Sequence, residues 1–232
     1  GNTAALEYLD GCTVSTDNLG NVTRYYVDGQ KRISRIEYPD GSQKSYTYTA
    51  DNRRATETDE RGIATSYTYD ENGNILTQTR GDGTVSRFTW NQWSQPLSVT
   101  DYEGNTTVYT YDEAGNLLSV TDGEGNRVTY NYDEQNRMIS MTDANGGTSV
   151  FTYDGAVITS MKDGEGHVWE FTYDSMNQVL TATDPLGNTQ TYEYNRKGWN
   201  ISVTEKDGGT SYHEYDAVGT CLLYTSPSPR DR

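Results

Sequence analysis

Tyr109-Thr110-Tyr111-Asp112-Glu113-Ala114-Gly115-Asn116-Leu117 is the stretch that decides the fold. Two aromatic residues stand two positions apart, so both rings project from one face of an extended strand. Asp112 to Asn116 is a polar chain reversal, and Leu117-Leu118-Ser119-Val120-Thr121 reads as the returning strand. Asp122-Gly123-Glu124-Gly125-Asn126 reverses the chain again. Val128-Thr129-Tyr130-Asn131-Tyr132 then restores the aromatic pair in the alternation of a half-buried strand.

Working outward, the same unit fills the chain. Glycines recur at Gly20, Gly41, Gly62, Gly83, Gly104, Gly125, Gly146, Gly166, Gly187 and Gly208, with a spacing of 21 residues broken once by a spacing of 20. Seven residues after each comes Val27, Tyr48, Tyr69, Trp90, Tyr111, Tyr132, Tyr153, Tyr173, Tyr194 or Tyr215. Two residues before these lies another column, Tyr25 through Tyr67 and Phe88 to Tyr192, closed by His213. In seven of the ten units the hairpin turn carries Gly or Asn: Asn52, Gly73, Gly115, Asn136, Asn177, Gly198 and Gly219. Both residues tolerate positive φ. Each unit therefore reads as a β-hairpin, and the glycine column marks the turn that links it to the next. The short spacing falls at Asp154-Gly155-Ala156, in a turn, where a deletion does not flip the faces of a strand.

Composition tests this reading. Leu, Ile, Val and Phe make up 35 of 232 residues, about 15%, and the net charge is −16. Such a chain is a candidate for disorder. The 20 Tyr and 4 Trp argue otherwise, because disordered chains are poor in aromatics. A core of tyrosines in place of aliphatic residues is expected. Ten hairpins give roughly twenty strands, a ribbon of about 95 Å at ~4.8 Å per strand. Sheet twist makes such a ribbon coil, so the expected fold class is all-β, a spiralling antiparallel sheet of tandem hairpins. Acidity disfavours nucleic acid. No apolar run reaches the ~20 residues of a membrane helix, and Cys12 and Cys221 form no metal or redox spacing.

Three regions follow: a degraded partial repeat over 1–19, about ten repeats over 20–219, and a non-repeat tail over 220–232. That tail, Thr220-Cys221-Leu222-Leu223-Tyr224-Thr225-Ser226-Pro227-Ser228-Pro229-Arg230-Asp231-Arg232, reads as a sequence artefact or the start of a linker. The chain is expected to be a fragment of a longer protein.

The units Tyr109 to Leu117 and Phe171-Thr172-Tyr173-Asp174-Ser175-Met176-Asn177-Gln178-Val179 resemble the YD repeat of the Rhs family, over about residues 8–219. The resemblance implies bacterial polymorphic toxins, toxin-complex subunits and wall-associated proteins, with teneurins sharing the repeat. It also implies a hollow β-shell around the parent protein's own C-terminal toxin domain, a secretion-apparatus partner, and a secreted or cell-surface location. The family's self-cleaving core is not visible in this sequence. Asp184-Pro185-Leu186-Gly187 superficially resembles one of its elements, but Asn188 follows and the segment reads as an ordinary linking turn.

No catalytic, cofactor or metal residues are expected. Asp122 to Asn126 fails as a calcium loop because Arg127 stands where an EF-hand needs Gly, and turn carboxylates read as solvated. His213 reads as a packing substitute for Tyr, and His167 as a turn residue beside Trp169. Asn21-Val22-Thr23, Asn105-Thr106-Thr107 and Asn200-Ile201-Ser202 match the glycosylation sequon and read as chance matches in a bacterial protein. The expected function is a structural shell segment. The alternative is a carbohydrate-binding or adhesive repeat with a glycan partner, against which Trp90, Trp93, Trp169 and Trp199 share no column. The face opposite the rings carries Thr110, Asn131, Thr152, Thr172 and Glu193, a polar wall whose charge would favour a basic cargo.

Overall fold

The computed structural model describes residues 5–9 and 11–225, and all regular structure in them is β-strand. It forms two compact units, residues 1–110 with 121–125, and residues 111–120 with 126–232. The first holds β1 (Ala5–Leu9), β2 (Cys12–Thr16), β3 (Val22–Val27), β4 (Ile33–Glu37), β5 (Gln43–Tyr48), β6 (Arg54–Thr58), β7 (Ala64–Tyr69), β8 (Ile75–Arg80), β9 (Val85–Trp90), β10 (Pro96–Thr100) and most of β11 (Thr106–Tyr111). The second holds most of β12 (Leu117–Thr121), then β13 (Arg127–Tyr132), β14 (Met138–Thr142), β15 (Thr148–Asp154), β16 (Val157–Lys162), β17 (Val168–Tyr173), β18 (Val179–Thr183), β19 (Thr189–Tyr194), β20 (Asn200–Thr204), β21 (Thr210–Tyr215) and β22 (Cys221–Thr225). Within each unit the chain is an antiparallel meander of sequential strands. All-β tandem hairpins in an antiparallel sheet is thus the observed fold class.

The period has a simple origin. β13 has six residues and β14 has five, and each is followed by a five-residue turn before β15 begins. Hairpin turns and linking turns share one geometry. In the hairpin turn the Asp70 N–H donates to the Asn74 carbonyl at 2.9 Å, and the Gly73 N–H to the Asp70 carbonyl at 3.2 Å. In the linking turn Asp101 and Asn105 are joined at 2.9 Å, and Gly104 donates to Asp101 at 3.2 Å. A three-residue loop of this kind needs its last residue in the left-handed region. All ten glycines of the linking column lie there, with φ between 80° and 94°. The hairpin turns place not only Asn52, Gly73 and their column mates there but also Lys31 (φ 62°) and Ser94 (φ 61°), which residue type does not announce. The short unit closes β15 and β16 through Gly155 and Ala156 alone, with Asp154 opposite Val157.

Each returning strand from β4 onward whose register is given carries one extra residue. In β5–β6, Thr47 faces Thr56 and Tyr48 faces Arg54, leaving Ala55 unpaired in the ladder. Leu76, Leu97, Ile139 and Leu180 hold the same bulge position in later hairpins. The hairpin β1–β2 has no bulge.

The two faces differ. Along β11 Tyr109 and Tyr111 are half-buried while Val108 and Thr110 are exposed, and β7, β17 and β19 alternate in the same way. The polar face is tied by hydroxyl pairs inside hairpins: Thr47–Thr56, Thr68–Thr77 and Thr89–Ser98 at 2.7 Å, and Thr172–Thr181 at 2.6 Å. The expected tyrosine core is corrected here. Among the described residues no hydrophobic side chain is fully buried, and the buried ones are Ser86, Ser119, Ser202 and Ser211. Within each unit the strands meet only their neighbours in sequence, so each ring is covered from the side of its own strands alone.

Beyond Gly219 the residue pattern departs from the repeat but the ladder continues. β22 pairs with β21, Glu214 facing Leu223 and Tyr212 facing Thr225. The rest of the expected tail, 226–232, lies outside the described residues, as do 1–4 and 10 of the partial repeat.

Backbone strain in the turns sets two expected outcomes. Ser94→Gly relieves a non-glycine residue at positive φ and raises stability by roughly 0.5–1 kcal/mol. Gly125→Val, at φ 89°, lowers it by about 1–2 kcal/mol although no atom crowds the new side chain. Urea denaturation of both variants measures these shifts.

Candidate functional site

With no buried hydrophobic side chain among the described residues, the contacts that hold one hairpin to the next form the site of interest. The aromatic column supplies them. The Tyr48 hydroxyl donates to the Ile33 carbonyl at 2.7 Å, and the Tyr69 hydroxyl to the Arg54 carbonyl at 2.8 Å. Tyr132 reaches Leu117 at 3.0 Å, Tyr153 reaches Met138 at 2.8 Å, and Tyr173 reaches Ile158 at 2.7 Å. Trp90 makes the same bond with its indole Nε1, 2.7 Å from the Ile75 carbonyl. Each tip therefore crosses to the preceding hairpin, 15 residues back. The accepting carbonyl belongs to the first residue of the returning strand, or to the second in β16, and where the register is given it stands immediately before the bulge. A bulge disrupts the ladder locally, and the ring tip supplies a donor beside that break. Val27 has no donor, and the hairpin before it has no bulge. Tyr111 and Tyr194 occupy the same half-buried column position, and burial pushes the Tyr194 phenol up. Tyr215 packs against Trp199, ring centres 5.4 Å apart.

A second set of ties runs forward from the hairpin turns. Arg53 donates to the Asp70 and Glu71 carbonyls at 2.6 and 3.3 Å, and its guanidinium lies 5.6 Å from the Tyr69 ring centre. Arg32 reaches the Asn52 side chain and Asn116 reaches that of Asn136, while Arg137 and Gln178 reach the carbonyls of Gly155 and Gly198. The sequence reading fixed the aromatic column but not these tips. A weak signal existed: the column favours Tyr and Trp, which carry a donor, and contains no Phe.

The turn carboxylates are corrected as well. They are not merely solvated. Asp101 Oδ1 accepts the N–H groups of Glu103 and Asn105 at 3.0 and 2.8 Å, and Oδ2 accepts the Asn105 amide at 2.9 Å. Asp17, Asp70 and Asp112 are braced by Asn21, Asn74 and Asn116 in the same way. Asp184 shares the pattern, so Asp184 to Asn188 has the geometry of an ordinary linking turn. Asn91 and Asn195 perform the backbone part without a charge. At Asp163 the partner is His167, whose Nδ1 lies 2.9 Å from Oδ2. Asp163, Glu165 and His167 bring three ligand atoms within 4.8 Å of one another. His167 makes there the bond that Asn makes elsewhere, which accounts for the geometry without a metal. His213 sits half-buried in β21.

The Asn amide four residues on, joined by the turn N–H groups, holds Asp17, Asp70, Asp101 and Asp112 below the ordinary carboxylate range. A lowered folded pKa gives stability that is complete above the unfolded value, near 3.9, and lost as pH falls through the folded values. His167 acts in the opposite sense: Asp163 raises it, so its contribution fades as pH rises through a value above 6.5. The expected melting temperature falls below about pH 4. Asp112→Asn keeps the turn, as Asn91 does, and Asp112→Ala lowers the melting temperature at neutral pH. Thermal melts across pH check all three.

The RHS Repeat family model matches residues 48–85, 90–127, 111–148 and 153–189. No curated protein matches the chain in sequence. Among solved structures, the chain is similar to TcdB2-TccC3 without its hypervariable C-terminal region, with 14% identity and a TM-score of 0.59. That match covers 100% of this chain and 16% of the other. TcdB2-TccC3 itself matches with 14% identity and a TM-score of 0.58, over 98% of this chain and 16% of that one. These likenesses show a shared fold, and the chain spans about one sixth of the length of either structure. With more than half of its residues matched by the repeat model, the chain belongs to the RHS repeat family.

Proposed function

We propose that this chain is a wall segment of a repeat-built shell, without catalysis of its own, whose parent protein encloses a C-terminal effector lying outside it. The observation that carries the reading is that, within each unit, strands meet only their neighbours in sequence. A sheet with one ring-bearing face, one polar face and no fully buried apolar side chain among the described residues is built as a wall, not as a packed domain. Family membership and the fold shared with TcdB2-TccC3, one structure of which lacks a hypervariable C-terminal region, support it. In this reading the ribbon of hairpins coils, and its net charge of −16 favours a basic effector such as a nuclease. A secretion apparatus delivers the loaded shell to the cell surface or beyond.

The adhesive reading gains no support from the tryptophans. Trp90 donates to Ile75, Trp199 contacts both Tyr215 and Lys197, and Trp169 meets His167 edge-on. Trp93 is exposed, alone among the four in lacking such a contact. Limited proteolysis of the complete protein tests the shell. The expected result is an effector cleaved much more slowly inside the intact protein than after denaturation. Equal rates, or a complete sequence that ends soon after the repeats, overturn it.

A further inference from the structure

The chain holds two Asn-Gly pairs, Asn72-Gly73 and Asn145-Gly146. Both stand at the same place in the same kind of turn. Each glycine has positive φ, 96° at Gly73 and 87° at Gly146. Each donates its N–H three residues back, to the Asp70 carbonyl at 3.2 Å and to the Asp143 carbonyl at 3.1 Å. Asn-Gly is the dipeptide in which a backbone nitrogen most readily attacks the preceding side-chain amide, because glycine has no side chain to obstruct the approach. Local geometry treats the two pairs alike, so what surrounds each turn decides between them.

The surroundings differ. At Asn72 the Asp70 carboxylate accepts the Asn74 N–H at 2.8 Å and the Asn74 amide at 2.9 Å. Arg53 ties down the Asp70 and Glu71 carbonyls and lies across Gly73, 3.2 Å from where a Cβ would stand. At Asn145, Gly147 takes the place of Asn74 and brings no side-chain amide to Asp143. Asp143 Oδ1 accepts only the N–H groups of Asn145 and Gly147, at 2.8 and 2.9 Å. Apart from its chain neighbours, nothing lies within 4 Å of a Cβ placed on Gly146, and Asn145 and Gly146 are both exposed. The Asn145 turn therefore opens with fewer bonds broken.

We propose that Asn145 is a site of spontaneous covalent modification to isoaspartate, and that the conversion loosens the seam where the β14–β15 linking turn meets the next one. The Gly146 nitrogen bonds to Asn145 Cγ and gives up its proton, and the side-chain nitrogen leaves as ammonia. Water then opens the cyclic imide on one side or the other. One opening gives Asp. The other gives isoaspartate, whose main chain runs through the former side chain and is one carbon longer. The following linking turn is packed closely on this one: a Cβ on Gly164 would stand 2.7 Å from Gly147 Cα. A lengthened backbone displaces Gly147 against Gly164, where there is no slack to absorb it.

Ageing the full chain for weeks at body temperature and mildly alkaline pH, folded and in guanidinium chloride, tests this. Peptide mapping by mass spectrometry, with electron-transfer fragmentation to tell isoaspartate from Asp, follows both pairs. In denaturant they are expected to convert at similar rates. In the folded chain Asn145 converts at least about fivefold faster than Asn72, the difference of one or more hydrogen bonds in opening the turn. Arg53→Ala brings Asn72 toward the Asn145 rate, and Gly147→Asn slows Asn145. The aged parent melts at a lower temperature than fresh protein, whereas Asn145→Glu, which copies Glu103 and Glu124 of other linking turns, loses much less. Equal or reversed rates in the folded chain, or no conversion of Asn145, overturn the site. An unchanged melting temperature in the aged parent, or an equal loss in Asn145→Glu, overturns the loosening.

Discussion

A carboxylate oxygen that accepts two backbone N–H groups at a chain reversal is the interaction on which the rest of this structure depends. At Asp101 it fixes a five-residue turn whose fourth residue, Gly104, must take positive φ. Repeated at both ends of the strands, the same brace keeps strand length at five or six residues, with seven in β15 where the hairpin turn is short, and so keeps the rings on one face. The unusual acidity of the chain has a local structural use: many of its aspartates occupy this one position. Asn91 and Asn195 show that the acceptor geometry, more than the charge, is what the turn needs.

Turns alone make hairpins, and an isolated hairpin is marginal in water. Ordinary domains join such pieces by burying apolar surface. Here that route is nearly closed, since even the aromatic column is only half-buried. The seam contacts take over part of the work. A phenol that packs its ring and also satisfies a carbonyl beside a bulge combines both contributions in one side chain. Polar pairs such as Thr47–Thr56 add cross-strand support on the other face. Stability is then a sum over near neighbours, as in other repeat arrays.

Hairpin identity, strand alternation and the period were legible because residue type carries them: Gly or Asn where φ is positive, rings two apart on a strand. Lys31 and Ser94 were not, since the fold imposes on them a conformation their side chains do not favour. His167 was read as a turn residue, but its role as a stand-in for Asn needed the distance to Asp163. Tyrosine richness reads as a core, because composition reports how much apolar surface exists and not how deeply it is covered.

The sequence by itself determined the antiparallel hairpin, its 21-residue spacing and the membership of each ring in one column, all of which follow from steric rules within a few residues. Only the tertiary structure decided where the ring tips go. The bond from Tyr69 to Arg54 joins residues 15 apart on different hairpins and exists only once the bulge in β6 has set the carbonyl before Ala55 within reach. That position depends on strand register and sheet geometry, which are properties of neighbouring hairpins together and of no single repeat.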